Sequence, residues 1–190
     1  MRSAKPSKTV LVIVGMPGAG KSLASSVMKM RGIPVFVSGD IIRAEAEKRG
    51  LSFTRKNLGA LMLRIRKEEG MGAVAKRLVP LVERESREFV VYEGARSVEE
   101  VDELRRKYRV VVIAINASPM ARFQRLRRRG RSDKPRGWTD FEERDNRELG
   151  VGIAKLIALA DRTVENEDSK DDLKRRTRRV LQVVLKQRKS

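Results

Sequence analysis

At 190 residues the chain can bury one α/β core with insertions, and a single domain is expected. Lys and Arg number 44 against 25 Asp and Glu, a formal net charge of +19 that favours polyanionic partners such as nucleotides, phosphorylated coenzymes or nucleic acid. The absence of Cys and His excludes disulfides, thiolate or imidazole metal sites and a thiol nucleophile, so any general base must be a carboxylate.

Residues 1–8 form a basic leader with Pro and Ser, expected to be mobile. Val10–Val14 is an apolar, β-branched run that reads as the first strand. It is far shorter than a membrane span and no signal-peptide pattern precedes it, so a cytoplasmic protein is expected. The strand stops at Gly15-Met16-Pro17-Gly18-Ala19-Gly20-Lys21-Ser22, which fits G-x-x-x-x-G-K-[ST], with a helical pattern following from Lys21 to Arg31. Gly15, Gly18 and Gly20 allow the loop to curl its N–H groups around a phosphate. Lys21 is then placed to reach the β- and γ-phosphates of a nucleotide, and the Ser22 hydroxyl to ligate Mg²⁺.

Residues 33–37 read as a second buried strand ending at Ser38-Gly39-Asp40, with a helix over 41–49. A second helix is expected over 54–69, with Leu58, Leu61, Met62 and Ile65 on one face, and a third over 73–88 that Pro80 should kink or split. The strand-free stretch 41–88 is therefore a helical insertion between the second and third strands. Phe89–Tyr92 is the third strand, stopping at Glu93-Gly94, and Ser97 with Glu100 predicts a capping box at the next helix.

Residues 109–117 carry a continuous apolar run, the signature of a strand buried on both faces. Ser118-Pro119 starts a helix that runs into the arginine-rich stretch 125–131. A loop is expected over 132–138, a helix from a capping box at Thr139–Glu142, and another over 150–160. Arg162–Glu165 is a short last strand and residues 170–189 a terminal helix. Strands alternating with helices predict an α/β fold with a five-stranded parallel sheet flanked by helices.

These segments together resemble the nucleoside-monophosphate-kinase branch of P-loop proteins, which includes adenylate kinase and dephospho-coenzyme A kinase, and within it an archaeal family of adenylate-kinase-related proteins. The resemblance runs from Val10 to about Leu185 and rests on four segments: the loop 15–22, Ser38-Gly39-Asp40-Ile41-Ile42-Arg43, Tyr92-Glu93-Gly94-Ala95-Arg96-Ser97 and Ala160-Asp161-Arg162-Thr163-Val164-Glu165-Asn166. It implies the P-loop NTPase fold, with the insertion 41–88 binding a phosphate acceptor and a short lid over 125–139.

On this resemblance Asp40 orients or deprotonates an acceptor hydroxyl or holds a Mg²⁺-bound water, while Arg43 clamps the acceptor's phosphate. Glu93 stands beside the Mg²⁺ where the branch usually has Asp, and Arg96 grips the acceptor. Arg125 and Arg129, four apart on a helix, correspond to lid arginines on the ATP phosphates, Arg144-Asp145 to a further phosphate contact or an intrahelical pair, and Asn166 to a contact with the adenine edge.

The expected activity is Mg²⁺-dependent transfer of the γ-phosphate of ATP to a small phosphate-bearing acceptor, a nucleoside monophosphate or dephospho-coenzyme A. The competing reading is an ATP-switched RNA- or DNA-binding protein, motivated by the charge and by the run Lys174-Arg175-Arg176-Thr177-Arg178-Arg179. Aromatic residues at 4% are few for base stacking, which weighs against it.

Overall fold

A computed structural model describes residues 8–129 and 134–187; the expected leader apart from Lys8, part of the expected lid and the end of the terminal helix lie outside the described residues. The elements follow one another as β1 (Thr9–Val14), α1 (Lys21–Lys29), β2 (Val35–Val37), α2 (Ser38–Lys48), α3 (Arg55–Glu69), α4 (Ala73–Arg84), β3 (Phe89–Glu93), α5 (Val98–Arg105), β4 (Arg109–Asn116), α6 (Pro119–Arg128), α7 (Trp138–Gly150), α8 (Ile153–Ala158), β5 (Arg162–Glu165) and α9 (Lys170–Lys186). All pairings are parallel, and the sheet order is β2-β3-β1-β4-β5, the expected five-stranded P-loop sheet.

Because β1 lies at the centre, every one of its residues is buried, which is why its sequence is apolar without alternation. Val10, Val12 and Val14 face one layer, shared with α2, α3, α4, α5 and α8. Leu11 and Ile13 face the other, closed by α1 and by Leu173, Leu181 and Val184 of α9. The loop after β1 therefore emerges from the buried centre of the sheet. Among the described residues no helix is long and apolar enough to cross a membrane.

Several boundaries differ from expectation for identifiable reasons. The second strand shrinks to Val35–Val37, and α2 begins at Ser38, so the expected turn Ser38-Gly39-Asp40 is already helical. Pro80 does not split α4; it lies on the exposed side, where the carbonyl it leaves without a helix donor meets solvent. That helix stops at Arg84, not Glu88, where the Lys8 ammonium donates to the carbonyls of Val82 (2.6 Å) and Glu85. Ser97 caps α5 by accepting from the Glu100 N–H, but the Glu100 carboxylate turns into the core and the reciprocal bond of a capping box is replaced. Helix α7 starts at Trp138 with Gly137 as its N-cap, so Thr139 lies inside it. The apolar stretch expected as one helix over 150–160 is interrupted at Gly152, whose φ of +103° starts α8.

Within the expected insertion, α4 is a core helix: Ala73, Val74, Ala75, Leu78 and Val82 are fully buried. Helices α2 and α3 are the part that faces the site described next.

Candidate phosphoryl-transfer site

Residues 15–20 join β1 to α1 through three glycines at positive φ: +147° at Gly15, +82° at Gly18 and +109° at Gly20. A Cβ at Gly15 would stand 2.3 Å from the Ile115 carbonyl oxygen, and one at Gly20 2.4 Å from the Asn166 amide nitrogen. Glycine is thus required twice over, by torsion and by space. The Lys21 ammonium folds back onto the loop and donates to the carbonyls of Gly15 (2.6 Å) and Met16 (3.2 Å). Burial, reinforced by the Arg96 guanidinium and opposed by Glu148 and Glu93, lowers its pKa to about 8.

Ser22 donates to Glu93 Oε1 at 2.8 Å. The extra methylene of Glu93 relative to Asp therefore does not prevent contact with the loop hydroxyl. Two hard oxygens side by side at a helix N-terminus suit a Mg²⁺ that keeps several waters and takes its remaining ligands from phosphates. No cluster of three or more His, Cys, Asp or Glu side chains able to hold a metal exists among the described residues, so a divalent ion here would depend on its nucleotide.

A cavity of about 750 Å³ opens over the loop, and eight of its lining side chains are Lys or Arg against two carboxylates, Glu93 and Asp168. Arg125, Arg129 and Asn166 all line it. Arg125 Nη2 donates to the Asn166 carbonyl at 2.7 Å, and its Nη1 is buried without a partner among the described residues. Arg129 does not share a helical face with Arg125, because α6 ends at Arg128 and Arg129 is extended. The Asn166 side-chain amide donates to the Ala19 carbonyl at 2.7 Å, so it braces the loop instead of presenting that N–H to a base.

A second cavity, about 1020 Å³, adjoins the first; Ser38, Gly39, Arg43, Arg96 and Arg144 line both. Its other walls come from α3, through Leu58, Met62 and Leu63, and from α7. Arg43 is ion-paired with Asp40, whose side chain is 65% exposed and lies outside the lining of either cavity. Asp40 thus reaches the site only through Arg43, since the early start of α2 turns it into a first-turn acid on the helix surface. Arg96, in the turn after β3, donates through Nε to Glu148 Oε2 at 2.7 Å and through Nη1 to the Gly94 carbonyl at 3.3 Å.

Glu148 and Arg144 on α7 are the residues sequence reading passed over or left open. Asp140, Arg144 and Glu148 recur at four-residue spacing and all line the second cavity, a one-face signal present in the sequence. Asp145 accepts from Arg122 at 2.9 and 2.5 Å. That pair, with Arg122 stacked 5.0 Å over Phe141, Phe123 in edge contact with Trp138 and Phe141, and those two rings tilted against each other, fixes α7 against α6. The two helices flanking the expected lid are therefore locked at their bases.

Comparison with known proteins places the chain in a family. The family described as "AAA domain" matches residues 14–142. The UPF0200 protein PH1008 of Pyrococcus horikoshii is 43% identical, over 93% of this chain and 97% of its own length. Among solved structures, shikimate kinase from Bacteroides thetaiotaomicron superposes with a TM-score of 0.66 at 14% identity, covering 93% of this chain and 98% of its own. A gluconokinase from Sinorhizobium meliloti gives 0.54 at 14% identity, covering 97% and 99%. At such identities these two structures speak to the fold, which is that of P-loop kinases.

Proposed function

The chain belongs to the archaeal UPF0200 family, and from that premise we propose that it is an ATP-dependent kinase that phosphorylates a small phosphate-bearing acceptor, a nucleoside monophosphate or a dephospho-coenzyme A-like molecule. The observation that carries this reading is the pair of cavities that meet across a wall of three arginines, one over a Lys/Ser loop and the other over α3. A nucleotide-hydrolysing switch has no need of the second.

Phosphoryl transfer asks the protein for in-line positioning and for neutralisation of charge spreading over the phosphoryl oxygens. The loop N–H groups and Lys21 hold the triphosphate. Arg125 and Arg129 approach it from the α6 side, while Arg43, held by Asp40, and Arg96 grip the acceptor. Ser22, with Glu93 behind it, would hold a Mg²⁺, which would supply positive charge against the phosphate oxygens.

Incubation with Mg²⁺, ATP and a panel of nucleoside monophosphates and dephospho-coenzyme A should give a phosphorylated product. A yield no higher than that of a Lys21→Ala control refutes the reading. Gly20→Ala should weaken binding of a fluorescent ATP analogue about tenfold or more, since the new methyl displaces Asn166 and strains the loop. Of the basic run on α9, Lys174, Arg175 and Arg176 are already ion-paired with Asp171, Asp172 and Asp168, which reduces the charge it offers a polynucleotide.

A further inference from the structure

The cavity beside α3 has two carboxylates in its lining, Asp140 and Glu148. Asp140 Oδ2 accepts from the backbone N–H of Arg136 at 3.0 Å, an acid at the start of α7 serving the turn before it. Glu148 differs. Its side chain is 17% exposed, it is joined at 2.7 Å to an arginine that belongs to both cavities, and its charge acts directly on Lys21 of the nucleotide loop. It thus stands on the seam where a molecule in one cavity would meet the γ-phosphate of a nucleotide in the other.

We propose that Glu148 is a catalytic residue that receives the attacking hydroxyl of the acceptor, and that the acceptor is therefore an alcohol carrying a separate anionic group, not a phosphate that attacks through its own oxygen. This rests on the kinase reading above and narrows it. An ionised carboxylate accepts a hydrogen bond from a hydroxyl and repels a phosphate oxygen brought to the same place. Arg96 opposite holds the carboxylate ionised: burial pushes the Glu148 pKa up, but the paired guanidinium, with Lys21 and Arg144, brings it below the usual range.

Lys56 and Arg147 line this cavity without lining the nucleotide cavity, which fits them for the acceptor's own anionic group, and Leu58, Met62 and Val151 cover its apolar body. Asp40, the other candidate base, lies outside both linings. In the step itself the hydroxyl oxygen bonds to the γ-phosphorus as the bond from that phosphorus to the β,γ-bridging oxygen breaks. The electron pair leaves with ADP, and the hydroxyl proton passes to the Glu148 carboxylate and then to solvent.

The test offers full-length protein Mg²⁺-ATP with two acceptor classes, followed by ³¹P NMR. Dephospho-coenzyme A offers hydroxyls and no terminal phosphate monoester, whereas sugar phosphates and nucleoside monophosphates carry both groups, so the linkage formed identifies the attacking atom. The expected product is a phosphate monoester. Glu148→Gln should lower kcat by about 10²-fold with acceptor KM changed less than about threefold, and should lose the acid limb of the pH–rate profile. Glu148→Asp, which keeps the charge, should retain that limb and exceed the Gln variant in rate; if the Gln variant does not fold, a fall in kcat at unchanged KM in the Asp variant is required instead. A diphosphate product, an unchanged kcat, or a raised KM alone overturns the assignment while the kinase reading stands, the last because it marks a mere brace for Arg96. Wild-type protein inert toward every acceptor overturns both.

Discussion

Exchange of Lys21 for alanine is expected to lower kcat/KM for phosphoryl transfer by on the order of 10³-fold or more, the scale on which a cation acts on a transferring phosphoryl group. The Lys21 ammonium is at present held by the carbonyls of Gly15 and Met16, so it is stored inside the loop it serves. A triphosphate entering the loop offers it stronger, anionic acceptors at no cost in ordering the side chain anew. Steady-state kinetics on the two proteins, with the fold checked by circular dichroism, measures the difference. A loss below about tenfold would mean that the arginines around the cavity carry the charge without it.

The lowered pKa of Lys21 adds a pH dependence with a definite sign. In the free protein the group loses its proton around pH 8, because burial and then Arg96 disfavour the charged form. Bound phosphates favour that form and raise the pKa, so above pH 8 nucleotide binding must take up a proton. The dissociation constant should be level below pH 8 as far as Lys21 is concerned and rise by about tenfold per unit above it. Calorimetry in buffers of different ionisation enthalpy reads the proton uptake directly, and Lys21→Ala should abolish it.

The loop and its lysine were legible in sequence because everything they need is local: a strand, three glycines and a helix within one contiguous stretch. The parallel sheet was legible for a related reason, since central strands buried on both faces carry unbroken apolar runs. Asp40 was harder. Its distance from the loop along the chain said nothing about which way it would point, and that was decided when α2 began two residues before it. Asn166 was expected to meet the adenine edge; its brace on Ala19, a contact between residues 147 apart in sequence, left no local trace. Glu148 left a periodic trace on α7, yet its meaning came only from the packing that set that helix beside Arg96. Residues whose role depends on a partner from another element are those that pattern reading leaves open.

The same holds for Glu100, where the largest loss of stability is expected. Its carboxylate is fully buried and accepts from Arg66 Nη2 at 2.7 Å, from the Tyr92 hydroxyl at 2.5 Å and from the backbone N–H of Arg96 at 3.3 Å. Arg66, itself 4% exposed, has two further nitrogens, Nε and Nη1, with no partner among the described residues. Glu100→Ala would leave a buried guanidinium with no counter-charge, a change that costs about 3–5 kcal/mol. For a chain of this size that is a fall in Tm on the order of 10 °C, measurable by calorimetry or as a shift in urea midpoint.

Removing the cation as well should restore most of the loss. Arg66→Met with Glu100→Leu and Tyr92→Phe leaves an apolar contact of similar volume in place of the charges, and such replacements are often neutral. If Glu100→Ala alone costs less than about 1 kcal/mol, Arg66 has found solvent by a rearrangement of α3, and the pair is not what ties that helix to α5. The triple variant separates stability from function. It keeps the packing but removes the acceptor of the Arg96 N–H, so a folded triple variant with weakened acceptor binding would show that the buried carboxylate also sets the backbone from which Arg96 reaches the seam between the two cavities.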